Sequence, residues 1–166
     1  MTGTFGRVVA IVVLLSGCHE VSKPTSQPSS GPPTVSGPPA IPAVVEVTAP
    51  VGMVGKSPVT TFSYRLEQPL GLREIAGAGA NVESFKVRIV RGDTEEIQVL
   101  GRQAILAQIG SLRLDALSAR LITLAIDFNT LPGDRTTGEL SYLGDDGLMR
   151  SVVVDLHPEV VSAAIK

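Results

Sequence analysis

One cysteine, no tryptophan, two histidines, two tyrosines and four phenylalanines stand in a chain of 166 residues. Each scarcity excludes something. With Cys18 alone, no intramolecular disulfide forms and no cysteine cluster holds zinc. An exported domain of this size does without disulfides when its core is large enough. Aromatics are 4% of the chain, too few for the exposed platforms on which carbohydrate sites lean. Phe62, Tyr64, Phe85, Phe128 and Tyr142 fall instead at core positions of the patterns described below. The formal charge is −2 with no block of one sign, which argues against a basic nucleic-acid surface that works by releasing counterions from phosphates. No cofactor is expected.

What is present begins at the N-terminus. Met1–Arg7 is short and polar, with Arg7 the only charged side chain before Cys18. Val8 to Leu15 is an unbroken apolar run, far shorter than the roughly 20 residues that cross a bilayer. Small residues follow. A charged start, a short apolar middle and a small-residue end predict a secretory signal peptide over 1–17. Its removal leaves 13 basic and 16 acidic residues, a net charge of −3.

The ending Leu15-Ser16-Gly17-Cys18 resembles the lipobox of bacterial lipoproteins. The resemblance covers only this signal. It implies that a diacylglyceryl group is added to the thiol of Cys18 and that a dedicated peptidase, recognising Leu15, Ser16 and Gly17, cuts before Cys18. In many bacteria the new amino group is acylated as well. One acyl chain binds a membrane marginally, at about 0.8 kcal/mol per buried methylene, whereas two or three hold a protein firmly. The expected partner is therefore a membrane, reached through lipid on Cys18. Within the family, aspartate after the cysteine retains the protein at the inner membrane. His19 stands there in this chain, so the resemblance implies the outer membrane, facing the periplasm, in a cell with two membranes.

Residues 18–43 read as the lipidated cysteine and a linker. Seven of the twelve prolines fall between His19 and Ala43 (24, 28, 32, 33, 38, 39 and 42), interleaved with serine, threonine and glycine. Such composition buries too little apolar surface to offset the entropy of ordering. Proline favours extended polyproline II structure, so the segment reads as a semi-stiff spacer at up to about 3.1 Å per residue. A proline-rich ligand for a partner domain is the competing reading.

Residues 44–166 read as an all-β domain, an immunoglobulin-like two-sheet sandwich of about seven strands. The dominant period is two. Phe62, Tyr64 and Leu66 alternate with polar residues, as do Phe85, Val87 and Ile89, then Ile122 to Phe128, Leu140 with Tyr142, and Val152, Val154 and Leu156. Val44–Thr48 and Glu96–Leu100 are shorter candidates. Turn signals separate them at 51–55, 77–81, 91–94, 132–134 and 144–147. The last reads as a hairpin. Arg102 to Leu117 is ambiguous: Ala104, Ile105, Gln108, Ile109 and Leu112 line a helix face that Gly110 interrupts, and a short helical turn or an extra strand is the expectation.

From Ile105 to Gly147 the chain also resembles the second half of bacterial immunoglobulin-like domains of the ASH type. The corner corresponds to Leu114-Asp115-Ala116-Leu117, which lacks the family's proline and glycine. The strand corresponds to Arg120–Phe128, and Gly138 to the start of the next hairpin. The paired cysteine motif of many such domains is absent, so no activity tied to it carries over.

Candidate chemistry is sparse. Arg91-Gly92-Asp93 matches an integrin-read tripeptide, but a Gly-Asp pair between strands serves a turn on backbone grounds. Gly77 and Gly79 lack the third glycine and βαβ context of a nucleotide loop. Asp134, Glu139, Asp145 and Asp146 are close in sequence and offer oxygens to calcium, without an EF-hand pattern. His157 has no evident nucleophile, and a hydrolase needs nucleophile, base and orienting acid together. A pocket holding His157 with two carboxylates would bring hydrolysis back. The reading reached is a lipid-anchored cell-envelope lipoprotein carrying a non-catalytic interaction or structural module, whose edge strands pair with an envelope partner. The alternative is a ligand- or calcium-binding envelope lipoprotein.

Overall fold

A computed structural model of the chain describes residues 40–133 and 135–161. Leu15, Ser16, Gly17 and Cys18, the signal segment 1–17, most of the 18–43 linker and Asp134 lie outside the described residues.

Ten strands and one helix occupy the described chain: β1 (Val45–Thr48), β2 (Gly52–Lys56), β3 (Tyr64–Glu74), β4 (Ala80–Arg91), β5 (Thr94–Gly101), α1 (Arg102–Ile109), β6 (Arg113–Leu114), β7 (Ala119–Phe128), β8 (Arg135–Gly144), β9 (Met149–Leu156) and β10 (Pro158–Val160). In the first sheet β3 is central. Along one edge it pairs β7 antiparallel from Tyr64 opposite Phe128 to Arg73 opposite Ala119. Along the other it pairs β2 at Tyr64 to Glu67 and β1 at Gly71 to Glu74. β10 adds to β2 in parallel, with Pro158 opposite Gly52. The second sheet runs β5-β4-β8-β9, with β6 against the start of β4.

Alternation decides what each sheet buries. Leu66, Leu70 and Leu72 of β3 and Ile122, Leu124, Ile126 and Phe128 of β7 meet Phe85, Val87 and Ile89 of β4 and Leu140 and Tyr142 of β8. Each such side chain contributes roughly 1.5–3 kcal/mol by leaving water. This is an all-β, two-sheet immunoglobulin-like sandwich. β3 and β7 stand where strands B and E do, β4, β8 and β9 where C, F and G do, and β5 takes the place of C′. The count exceeds seven for simple reasons. The first strand is broken in two at residues 49–51, and β6 and β10 are additions of two and three residues.

The segment 51–55, expected as a turn, is mostly strand, because β3 pairs Met53–Lys56 on one edge and β10 pairs Gly52–Val54 on the other. β3 is longer than its alternation showed and contains Pro69. The interval Gln68 to Leu70 has no partner on the β1/β2 edge. There the Pro69 carbonyl accepts from Gln68 Nε2 at 2.8 Å, so the missing proline N–H faces a gap in the ladder. Gln68 Nε2 also donates to Pro50 O at 2.8 Å and so bridges the gap.

Residues 102–117 hold both expected elements, a helix and a short strand. Gly110 ends α1 in the left-handed region at φ 73°, its N–H donating to Leu106 O. Gly138 does not begin a hairpin. It sits inside β8, where a Cβ would lie 2.7 Å from the Phe85 ring.

Candidate functional site

The most elaborate polar centre is buried and was not read from the sequence. Glu74, at the end of β3, is 1% exposed. Its Oε1 accepts from the backbone N–H of Val44 (3.2 Å) and Ala76 (2.9 Å), and its Oε2 from Gly77 (2.9 Å) and Leu117 (2.9 Å). Burial pushes the carboxyl up, but the four backbone donors outweigh it and hold it at about 2. Glu74 thus joins the entry to β1, the loop after β3 and the corner before β7. At that corner Leu117 is the one described non-glycine residue at positive φ (53°).

Two further carboxylates brace loops. Asp127 of β7 lies below its usual range chiefly because Arg65 donates to it from Nε (2.9 Å) and Nη2 (2.8 Å). Burial opposes that, and Ser57 Oγ adds a bond at 2.7 Å. Glu96 of β5 accepts from the backbone N–H groups of Asn129 and Thr130, which ties the second sheet to the turn after β7.

Of the acidic residues considered for calcium, the described ones, Glu139, Asp145 and Asp146, are each engaged by a cationic side chain. Asp145 is held by the Arg113 fork at 2.6 and 2.8 Å and also accepts from Gly79 N–H. Asp146 is engaged by Arg150, and Glu139 by Lys86. Among the described residues no group of three or more His, Cys, Asp or Glu side chains could hold a metal ion. A Cβ at Gly79 would displace the Arg113 guanidinium from its place on Asp145. Arg91 to Thr94 closes a two-residue hairpin, with Gly92 at φ 54°, and Gly147 at φ 76° closes the β8–β9 turn.

His157 does share a groove with two carboxylates. A space of about 620 Å³ at one end of the sandwich is bordered by Arg135, Thr136, Asp155, His157 and Glu159. Asp155, His157 and Glu159 are all exposed. They are alternate residues of one extended segment, roughly 6.6 Å apart along it. Among the described residues no hydrogen bond joins them. The one buried polar group there is Thr136, whose Oγ1 has no hydrogen-bond partner. Among the described residues no helix is long and apolar enough to cross a membrane.

No protein-family model and no curated protein sequence matches the chain. Among solved structures it is similar to the ApaA protein of Bordetella pertussis, at 15% identity over 70% of this chain and 92% of that one, with a TM-score of 0.42. It is similar to the sporulation control protein Spo0M of Bacillus subtilis at 9% identity, over 71% of this chain and 49% of that one, with a TM-score of 0.37. A third is the alkylpurine DNA glycosylase AlkC of Pseudomonas fluorescens bound to DNA containing an abasic site analogue. It matches at 15% identity over 67% of this chain and 30% of that one, with a TM-score of 0.33. At these levels the likenesses give the chain neither a family nor an activity.

Proposed function

We propose that this protein is a lipid-anchored lipoprotein of the cell envelope that presents a non-catalytic β-sandwich as an interaction or structural module. The observation that carries the reading is the sequence Leu15-Ser16-Gly17-Cys18 directly after an apolar run. The proline-rich segment that follows fits a spacer between lipid and domain. The sandwich fits a module, since Glu74, Glu96 and Asp127 brace loops and Glu139, Asp145 and Asp146 pair with cations.

The test is intact mass and membrane partitioning of the wild type beside Cys18→Ala in a bacterial host. A mature form starting at Cys18 with added acyl mass, lost in the variant, is expected. A soluble, unacylated product from both would overturn the reading.

A second reading, a ligand-binding lipoprotein, draws on one observation, the unpartnered Thr136 Oγ1 beside the 620 Å³ groove. It would place the ligand at the β8 and β10 end and not on the acidic β8–β9 turn. A Thr136→Val variant that binds small polar metabolites as the wild type does would remove it.

A further inference from the structure

The four outer edges of the two sheets are treated unequally. β7 is covered, because Gln108 of α1 donates from Nε2 to Ala125 O (3.1 Å) and accepts the Ala125 N–H at Oε1 (2.7 Å), as a neighbouring strand would. Arg120 fastens the helix end by donating to Ile109 O and Ser111 O. On the opposite edge of the first sheet, β2 is covered by β10. β5 runs directly into α1 at its Gly101 end, while Ile97 and Val99 along it are exposed at 51% and 59%. Among the described residues no strand but β8 is hydrogen-bonded to β9, although β1 runs close to it.

The register of β9 follows from its turn. Gly144 N–H donates to Leu148 O, which makes that pair a hydrogen-bonded one. Pairs then alternate, so the backbone groups of Met149, Ser151, Val153 and Asp155 point away from β8. Among the described residues no backbone or side-chain group bonds to them. All four residues are exposed, Met149 at 57% and Val153 at 65%. The strand carries no proline or lysine; its charged residues are Arg150, whose guanidinium is tied to Asp146, and Asp155 toward its far end.

We propose that β9 is a self-association edge, on which two copies of this chain pair antiparallel about Ser151. Met149 and Val153 flank Ser151 symmetrically, two residues to either side. Pairing about Ser151 therefore sets each Met149 opposite the Val153 of the other copy, and the two exposed apolar side chains cover each other on one face. The outward N–H and C=O groups of Met149, Ser151 and Val153 all find partners. Asp155 then faces Gly147 of the other copy, so no like charges are opposed. A two-fold contact of this kind closes on itself and leaves a continuous sheet eight strands wide, β6 of each copy aside. The proposal uses residues of the sandwich alone and does not rest on the lipid anchor.

The test uses the full chain carrying Cys18→Ala, so that any thiol is an introduced one and the result is independent of acylation. Sedimentation at about 100 µM suits a contact of this small area, which belongs at the weak end of interfaces. Twice the chain mass is expected. Ser151→Cys in that background is expected to oxidise to a covalent dimer, since residues facing each other in a hydrogen-bonded pair lie roughly 5.5 Å apart, within disulfide reach. Ile97→Cys on β5 is expected to stay largely monomeric. Val153→Lys should weaken association at least tenfold with an unchanged melting temperature. A monomer at that concentration overturns the proposal. So does an Ile97→Cys protein that cross-links faster than the Ser151→Cys protein, or a dimer that Val153→Lys leaves intact.

Discussion

The backbone N–H of Leu117 donates to Glu74 Oε2 at 2.9 Å across 43 residues of chain. Three more backbone donors meet the same carboxylate, so one side chain serves β1, β3 and the corner before β7. Glu74→Gln keeps the size and loses the fit. An amide has one acceptor oxygen, and its NH2 group would face N–H groups that need acceptors. The expected cost is about 2–4 kcal/mol, because buried donors are left without partners. Urea denaturation at neutral pH measures it, and a loss under about 0.5 kcal/mol would show that the carboxylate does not hold these loops.

The same carboxylate makes stability depend on pH. Its folded value, about 2, lies below the ordinary 4.5. A depressed carboxyl stabilises the fold fully above its unfolded value, and that contribution is lost as pH falls through the folded one. The window therefore runs from about 4.5 down to about 2. Linkage sets the loss at roughly 3 kcal/mol. Denaturation midpoints at pH 6, 4, 3 and 2 should fall steadily, and the Glu74→Gln protein should show a shallower fall. Parallel slopes in the two proteins would place the acid sensitivity elsewhere.

Why Glu74 escaped the sequence reading is physical. A glutamate closing a strand looks like any solvated acid, and its role depends on three loops that only the tertiary fold brings together. The strands were legible where burial on one side enforces a period of two, as in Phe85 to Ile89 and Ile122 to Phe128. They were hidden where neighbours impose them. Gly52–Lys56 carries two glycines and reads as a turn, yet β3 and β10 hold it extended from both sides. Pro69 hides the length of β3 because only the gap between β1 and β2 makes a proline tolerable there. Gly110 was legible as an interruption of the helical face, and its left-handed backbone is the physical form of that interruption. Cys18 is the opposite case: a short sequence pattern carries it, and the sandwich bears no trace of it.

Leu117 offers a stabilising substitution. Its φ of 53° costs an L-residue about 1–2 kcal/mol, and its side chain is 71% exposed, so little packing depends on it. Glycine relieves the strain but adds freedom to the unfolded chain, worth about 0.5–1 kcal/mol the other way. Leu117→Gly is expected to gain about 0.5–1 kcal/mol net in urea denaturation. The N–H that Glu74 receives is retained, so the pH profile should keep its shape. A destabilised Leu117→Gly protein would mean that the leucine side chain contributes packing at the corner.

Gln108 gives a local readout of edge protection. Its amide takes both backbone groups of Ala125, whereas the N–H groups of Leu124 and Ile126 face β3. Gln108→Ala removes the two bonds and keeps a strong helix former, so global stability should fall by only about 1 kcal/mol. Hydrogen exchange should separate the neighbours: the Ala125 amide is expected to exchange at least tenfold faster, while Leu124 and Ile126 change only as far as global stability does. The uncovered β7 edge should also raise self-association, because an unpaired strand edge invites another. Equal acceleration at all three amides would mean that α1 supports the sheet by packing through Ile105 and that the side-chain amide does not guard its edge.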